Sequence, residues 1–332
     1  MLAQCFVRRL GIDTELDAAA TPISGLLQPL DPRTFFKDFW DRQPVWIAGP
    51  ARRFDAVMRR QDFERALFDA KLSNPSLRFL HKATGNRADS LDLFLRKKAG
   101  WAEPRTISQL AVELHKGTLV YVAIENAVAS VRSYCRSLFN DFRCPLSVNA
   151  YFSAGLDASA FDAHFDPQDT FILQLEGEKE WRLWERDRVL NPIAGYPDWK
   201  SVPQPGLPAD ETILMTPGDI LYVPRGVWHW PRSLGDAPSL HLTLTVLMPS
   251  PVDVMLWLKD EILREPALRA PLPFSPHQHD GTGPKHAIDA ALAAIAQKVT
   301  APGAANMAVA NMLHEAARTV LRNGPKSDEK EP

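Results

Sequence analysis

Two histidines and one aspartate have the residue types and spacing of a metal site. One residue separates His164 from Asp166, and His229 follows the turn Pro224-Arg225-Gly226. On a β-strand, residues i and i+2 point to the same side, so His164 and Asp166 can bind one ion while Phe165 turns into the core. Two imidazoles and one carboxylate are the ligand set that holds iron(II) on one face and leaves the other open for oxygen chemistry. His229 is therefore the predicted third ligand.

Both histidines of the later strands also have a structural interpretation. His229 lies between Trp228 and Trp230 and would suit an aromatic core, but its place just beyond a Pro-Arg-Gly turn favours a metal ligand. His241 lies between two leucines in an apolar segment. That setting predicts a structural role, or support of a ligand, rather than direct ligation.

Length and composition predict a soluble intracellular protein. The 332 residues are 45% hydrophobic, as is ordinary for a globular chain with a sizeable core. Lys and Arg number 38 against 40 Asp and Glu, and the net charge of -2 gives no reason to expect direct nucleic-acid binding. The three cysteines lack a CxxC spacing, which indicates reduced thiols. There is no signal-peptide pattern and no apolar run of about 18 residues, so we expect a cytoplasmic protein without membrane association.

The middle of the chain has the pattern of short β-strands. Gly and Pro separate the strands at Glu176-Gly177-Glu178, which predicts a hairpin turn, at Thr216-Pro217-Gly218-Asp219 and at Pro224-Arg225-Gly226. Strands separated by turns without intervening helices predict a sandwich or jelly roll. The predicted strands are 119–123, 147–152, 170–175, 180–184, 212–215, 220–223 and 240–246.

Helical patterns flank these strands. Before them, a capped helix opening at Asp31, an edge strand over 43–47 and helices over 54–67 and 107–114 are predicted. After them, apolar residues recur at helical spacing over 252–263, 284–299 and 304–321. The predicted domains are an N-terminal helix and strand cover over 1–110, a jelly-roll core over 111–250, a helical module over 251–322 and a disordered charged tail over 323–332.

Four ordered blocks of this sequence resemble the JmjC-type, cupin-like iron(II) and 2-oxoglutarate oxygenases, and within them the ribosomal oxygenases. The segment 36–45, FKDFWDRQPV, also resembles the entry to that fold. The resemblance spans roughly 28–250. The four blocks are AHFD at 163–166, FILQLEGEKEWRL at 171–183, PGDILYVPRGVWH at 217–229 and SLHLTL at 239–244.

The resemblance implies a double-stranded β-helix with a C-terminal helical module, in which His164, Asp166 and His229 bind Fe(II). Lys179 falls where the family has the basic residue that pairs with the distal carboxylate of 2-oxoglutarate. A buried cation needs such an anionic partner, although a lysine at a strand end could also lie in solvent. Three further residues match positions that line the cosubstrate pocket: Asn149, Tyr151 and Thr245.

The implied reaction uses O2 to decarboxylate 2-oxoglutarate to succinate and CO2, with hydroxylation of a carbon of the substrate. The resemblance implies a protein substrate, with an arginine or histidine of a ribosomal protein as the target, and a homodimer held by the helical module. Two alternatives remain open at the level of sequence. One is a hydroxylase of a small molecule or biosynthetic peptide, and the other is a non-catalytic metal-binding cupin, which predicts loss of Lys179 or of a ligand. Neither is lost.

Overall fold

The computed structural model describes residues 8–10, 21–70, 76–81, 88–90, 117–155, 162–193, 202–234, 237–272 and 284–321. The chain divides into two compact units, Met1–Met248 and Pro249–Pro332. Among the described helices, none has both the length and the hydropathy needed to cross a bilayer. The predicted helix over 107–114 and the predicted charged tail over 323–332 lie outside the described residues.

The first unit is built on two β-sheets. The large sheet has the strand order β1-β2-β10-β7-β12-β6-β5-β3-β4, and the small sheet has the order β11-β8-β9. All pairings are antiparallel except that of β1 with β2. The strands are β1 (Arg8–Leu10), β2 (Val45–Ile47), β3 (Leu77–His81), β4 (Ala88–Ser90), β5 (Gly117–Tyr121), β6 (Leu146–Ala154), β7 (Asp169–Glu176), β8 (Lys179–Trp184), β9 (Glu211–Met215), β10 (Ile220–Val223), β11 (Trp228–Ser233) and β12 (Pro238–Val246).

The two sheets pack face to face, which is the jelly roll that the strand pattern predicts. Successive side chains of a strand point to opposite faces, so each strand of the large sheet contributes to two clusters. On β7, Ile172 faces the small sheet, whereas Phe171 and Leu173 face the opposite side. The cluster between the sheets consists of Ile172, Leu221, Val223 and Val227 with Trp181, Leu183, Ile213 and Met215.

Helices cover the other face of the large sheet, where the larger apolar cluster lies. The helices of this unit are α1 (Pro22–Leu27), α2 (Pro32–Asp38), α3 (Arg60–Asp69) and α4 (Ala129–Phe142). A 3₁₀ helix, Ile124–Asn126, precedes α4. As predicted, Asp31 caps α2, its carboxylate accepting from the Thr34 N–H at 3.0 Å. The predicted helix over 54–67 was wrong at its start, because residues 51–57 form turns before α3.

Three sequence predictions need correction. Helix α4 lies between β5 and β6, where no helix was predicted, although Val131, Cys135, Leu138 and Phe142 recur at helical spacing and are buried. Strand β2 is not an edge strand, because β1 and β10 pair with its two sides. The turn at Gly177 is not a hairpin, because β7 and β8 belong to different sheets and the turn carries the chain between them. Gly177 has φ +67, and a Cβ there would lie 2.1 Å from the Pro238 carbonyl oxygen.

The second unit is helical. Its helices are α5 (Pro251–Arg264), α6 (Pro284–Val299) and α7 (Ala304–Leu321), with a 3₁₀ helix at Pro266–Arg269. Ser250 caps α5 through a capping box, in which its hydroxyl accepts from the Asp253 N–H and the Asp253 carboxylate accepts from the Ser250 N–H. Helix α6 has the predicted bounds, as does α7.

Candidate metal centre

His164, Asp166 and His229 come together at a cavity that residues of both sheets line. The ligand atoms of the three side chains all lie within 4.8 Å of one another, and His229 Nε2 lies 3.6 Å from Asp166 Oδ2. His164 forms an isolated β-bridge with His229 and lies outside the named strands. Phe165 turns away as expected, being 1% exposed and packed edge-on against Trp228 at 5.1 Å between ring centroids.

Backbone hydrogen bonds fix the ring orientation of both histidines. His164 Nδ1 lies 2.9 Å from the Asp162 carbonyl oxygen, and His229 Nδ1 lies 3.0 Å from the Val227 carbonyl oxygen. A carbonyl oxygen only accepts, so each Nδ1 carries the proton and donates it. Each Nε2 then keeps its lone pair for a metal ion.

Electrostatics favour the ligand form of His229. Burial, followed by the charge of His164, lowers the pKa of His229 to about 4. The imidazole is therefore neutral at physiological pH, and only a neutral imidazole binds a metal ion. Asp166 supplies the one anionic donor of the group. Two imidazoles and one carboxylate, converging without a fourth protein donor among the described residues, fit iron(II) with open coordination positions.

A cavity of about 420 Å³ opens in front of the three ligand residues. Its volume lies in the range of small-molecule sites. Apolar walls come from Ile172 and Trp181, whose side chains also belong to the cluster between the sheets. Besides the three predicted ligands, its polar lining includes Lys179, Tyr151, Thr170, His241 and Thr243.

Lys179 is a buried cation in this cavity. It is 2% exposed, and its Nζ donates to the Ser153 hydroxyl at 3.1 Å. Ser153 also shares a hydrogen bond of 3.0 Å with the Thr118 hydroxyl, which fixes the position of its oxygen. Burial lowers the pKa of Lys179 to about 7, and within the described part of the chain no carboxylate pairs with the amine. A buried ammonium without a counterion is costly, so the site favours an anionic ligand.

His241 and Tyr151 form one wall beside this cation. Their rings stack with centroids 4.9 Å apart and planes within 4°, and Trp181 meets His241 edge-on at 5.6 Å. Burial and then the charge of Lys179 lower the pKa of His241 well below its ordinary value. Its Nδ1 is buried without a hydrogen-bond partner in the described structure. The structure thus puts His241 at the cavity, which agrees with a supporting role rather than metal binding.

Of the three other residues predicted to line the cosubstrate pocket, only one lines the cavity. Tyr151 lines the cavity, whereas Asn149 and Thr245 are not among its lining residues. Asn149 instead accepts a hydrogen bond of 3.0 Å from the Ala123 N–H, and its side chain hydrogen-bonds Tyr151. Thr245 is paired with Thr170, at the border of the cavity.

Several residues of the cavity lining were not predicted from sequence, among them Asp162, Thr170, Gln204 and Thr243. Thr243, on β12, lies opposite Asn149 of β6 and lines the cavity. Its alternation with His241 along β12 was the available signal, because residues i and i+2 of a strand share a face. Only the register of β12 against β6 and β7 decides how far along that face the cavity extends.

Comparisons with known proteins find a family domain and named relatives that are similar to this chain. Residues 125–254 match the family model described as JmjC domain. The protein YxbC of Bacillus subtilis, named as uncharacterized, is 28% identical over 255 residues, which cover 70% of this chain and 73% of that protein. The bifunctional lysine-specific demethylase and histidyl-hydroxylase NO66 of Drosophila willistoni is 26% identical over 268 residues, 78% of this chain. This chain covers 34% of that relative's length.

A solved structure of similar fold supports the architecture. The ribosomal oxygenase YcfD of Escherichia coli, in complex with cobalt and 2-oxoglutarate, superposes with a TM-score of 0.54 at 15% identity. The match covers 92% of this chain and 74% of that one. At this identity the likeness shows the fold alone, a jelly roll with flanking helices.

Proposed function

We propose that this chain, which contains a JmjC domain over residues 125–254, is an Fe(II)- and 2-oxoglutarate-dependent oxygenase that hydroxylates a side chain of a protein. The observation that carries the proposal is one cavity with two chemically different parts. His164, Asp166 and His229 converge at the cavity, and the same cavity is lined by Lys179, whose amine has no carboxylate partner among the described residues. The two parts match a ligand that binds a metal through one end and presents a carboxylate at the other.

Each part has a defined task in the proposed reaction. His164, Asp166 and His229 hold Fe(II), which supplies the redox chemistry that couples 2-oxoglutarate and O2 to hydroxylation of the substrate. Lys179 binds the distal carboxylate of 2-oxoglutarate with a charge-assisted hydrogen bond, while Ser153 keeps the amine oriented. Ile172 and Trp181 provide apolar walls that limit the entry of water beside the reacting groups.

The proposed substrate is an arginine or histidine side chain of a ribosomal protein. Support comes from the names of the relatives, a histidyl-hydroxylase and a ribosomal oxygenase. An exposed acidic residue, Asp162, lies at the cavity and offers a charge that attracts a basic side chain. We propose hydroxylation as the outcome; demethylation would use the same residues.

We also propose that the protein is a cytoplasmic homodimer whose second unit forms the interface. Large apolar side chains are exposed on all three helices of that unit, and water contact with so much apolar surface favours association. The most exposed is Met255, at 71%. The others include Val254, Leu256, Leu263, Ile288, Leu292 and Val309.

A succinate assay tests the proposed activity. Purified protein is incubated with Fe(II), ascorbate and 2-oxoglutarate, with and without peptides from ribosomal proteins, and with small metabolites in a parallel series. We expect succinate formation that a ribosomal peptide stimulates, together with a mass increase of about 16 Da on that peptide, the mass of one oxygen atom. Absence of succinate and of iron binding would contradict the oxygenase. Stimulation by small metabolites alone would favour a small-molecule hydroxylase.

A further inference from the structure

A cluster of charged side chains lies behind the turn that leads to His229. Asp41, in the turn after α2, accepts hydrogen bonds from two arginines. Arg225 donates through Nη2 to Oδ2 at 2.8 Å and through Nε to Oδ1 at 3.1 Å. Arg188 donates through Nη2 to Oδ1 at 2.6 Å. The two-point contact with Arg225 fixes its orientation as well as its distance.

Arg188 ties this cluster to the backbone on both sides. Its Nη1 donates to the carbonyl oxygens of Asp41 at 3.1 Å and Arg42 at 3.0 Å. Its Nε donates to the carbonyl oxygen of Arg225 at 3.0 Å. The turn Pro224-Arg225-Gly226 is therefore held to the segment after α2 through a side chain and through its own backbone.

A second link runs through a buried tyrosine. The Tyr222 hydroxyl accepts from the Asp41 N–H at 2.8 Å and donates to Asp169 Oδ1 at 2.5 Å. Asp169 is 2% exposed and its carboxylate also accepts from the Arg225 N–H. Asp169 stands three residues after Asp166 in the chain. Asp41 is thus joined to the segments of two proposed metal ligands.

The turn itself holds the backbone of the proposed ligands. The Gly226 N–H donates to the Asp166 carbonyl oxygen at 2.8 Å, and the Gly226 carbonyl accepts from the Val189 N–H at 2.9 Å. Gly226 has φ +78, and a Cβ there would lie 1.9 Å from the Val189 carbonyl oxygen, so this position of the turn accepts only glycine. From this turn the chain runs directly into His229.

We propose that Asp41 is a positioning residue of the metal centre, which sets the separation of Asp166 and His229 through Arg225 and the Pro224–Gly226 turn. The inference rests on the proposed metal-binding role of these residues. No hydrogen bond joins Asp41 to the side chain of Asp166 or His229 in the described structure. Its effect on Asp166 instead passes through the hydrogen bond from the Gly226 N–H to the Asp166 carbonyl oxygen. Removing the ion pair lets the turn relax, so the ligands no longer hold one geometry before the metal arrives.

The substitution Asp41→Asn tests the ion pair without changing the backbone conformation at residue 41. Asp41 has φ +51, in the left-handed region, and Asn adopts that region readily. The variant therefore keeps the backbone while it removes the charge that both arginines share. Asp55→Asn is a matched control. Asp55 also contacts two arginines, Arg52 at 2.8 Å and Arg59 at 3.5 Å, and its side chain is 31% exposed against 36% for Asp41.

Co(II) titration, followed by the visible absorption bands of the bound ion, gives a readout that does not require turnover. We expect Asp41→Asn to weaken Co(II) binding by about tenfold or more, the range for residues that orient metal ligands from outside. The bands should also shift, while the thermal unfolding midpoint stays near that of wild type. Arg225→Gln should reproduce the loss, Asp41→Glu should restore part of the affinity, and Asp55→Asn should bind as wild type does.

Wild-type affinity and band positions in Asp41→Asn or Arg225→Gln would overturn the inference, as would an equal loss in Asp55→Asn. A loss of Co(II) affinity that only tracks a lowered unfolding midpoint, without a band shift, would also overturn it. An Asp166→Ala variant that binds Co(II) as wild type does would instead contradict the proposed metal site itself. Failure of the metal site can therefore be distinguished from failure of the inference about Asp41, because the first is tested by wild type against Asp166→Ala and the second by wild type against Asp41→Asn.

Discussion

His164 and His229 are joined by two backbone hydrogen bonds, although 64 residues of chain lie between them. The His164 N–H donates to the His229 carbonyl at 3.0 Å, and the His229 N–H donates to the His164 carbonyl at 2.7 Å. Directly opposed residues of an antiparallel pair carry their side chains on the same face. The ring centroids consequently lie 4.3 Å apart. The bridge therefore holds two of the three side chains of the candidate metal centre side by side.

Removal of the carboxylate should abolish metal binding. In Asp166→Ala the bridged histidines remain, but the single anionic donor is lost, and we expect Co(II) or Fe(II) affinity to fall by more than about 100-fold, beyond the effect of an outer residue. Isothermal titration under anaerobic conditions measures it. Asp162→Ala is the control, because the Asp162 backbone carbonyl that accepts from His164 Nδ1 is unchanged. Equal affinity of the two variants would refute the ligand assignment.

The affinity for 2-oxoglutarate should depend on pH through Lys179. Burial lowers the pKa of this amine to about 7, so above that pH the ligand-free protein holds it neutral. A bound carboxylate favours the ammonium and raises its pKa, so binding takes up a proton. The dissociation constant should be flat below about pH 7 and rise up to tenfold per pH unit above it, until the pKa of the bound state is reached.

Calorimetry on Co(II)-loaded protein in buffers of different ionisation enthalpy measures this proton uptake. His229 and His241 do not contribute above pH 7, because burial lowers both of their pKa values, that of His229 to about 4. Lys179→Met should bind 2-oxoglutarate more weakly and without the pH dependence. A wild-type dissociation constant that stays constant from pH 7 to pH 9 would contradict the assignment of Lys179.

The structure distinguishes two threonines of β12 by their position relative to the cavity, which the sequence does not reveal. Thr243 lines the cavity and Thr245 does not. We expect Thr243→Val to weaken 2-oxoglutarate or substrate binding by roughly threefold to tenfold, as loss of one hydrogen bond does. Thr245→Val, an identical chemical change two residues along the strand, should have little effect. KM values from the succinate assay compare them, and the reverse order would favour the pocket predicted from sequence.

The proposed dimer predicts an effect of charges on the helices of the second unit. Wild type should elute at twice the chain mass of 37.1 kDa in size-exclusion chromatography with light scattering. Met255→Glu with Leu292→Glu introduces charges where side chains are 71% and 58% exposed in the single chain, and should yield monomers. Lys285→Glu, on α6 with Leu292, should leave the dimer intact. A monomeric wild type would disprove the proposed interface.

Much of the fold could be predicted because its signals are local. Short apolar segments bounded by Gly and Pro turns indicated β7, β10 and β12, and apolar spacing of three and four indicated α5 to α7. The bounds of α6 and α7 agree with the prediction. Helix α4 also had a local signal in its helical spacing, and it was missed because the segment between β5 and β6 was assumed to contain no helix. The sequence also could not show that β2 lies inside the sheet, because whether a strand is at the edge depends on pairing with strands that are distant in the chain.

The sequence by itself predicted the chemistry, because ligand types, the His-x-Asp spacing and a lysine fifteen residues after His164 are properties of short segments. Only the tertiary structure decided which polar residues share the cavity, since that depends on strand register. It alone joined Asp41 to Arg225, which are 184 residues apart. Many aspartates and arginines of this chain could form such a pair, and the packing of the segment after α2 against the Pro224–Gly226 turn selects one. The candidate ligands can be predicted from the sequence, but the distances between them depend on the folded backbone.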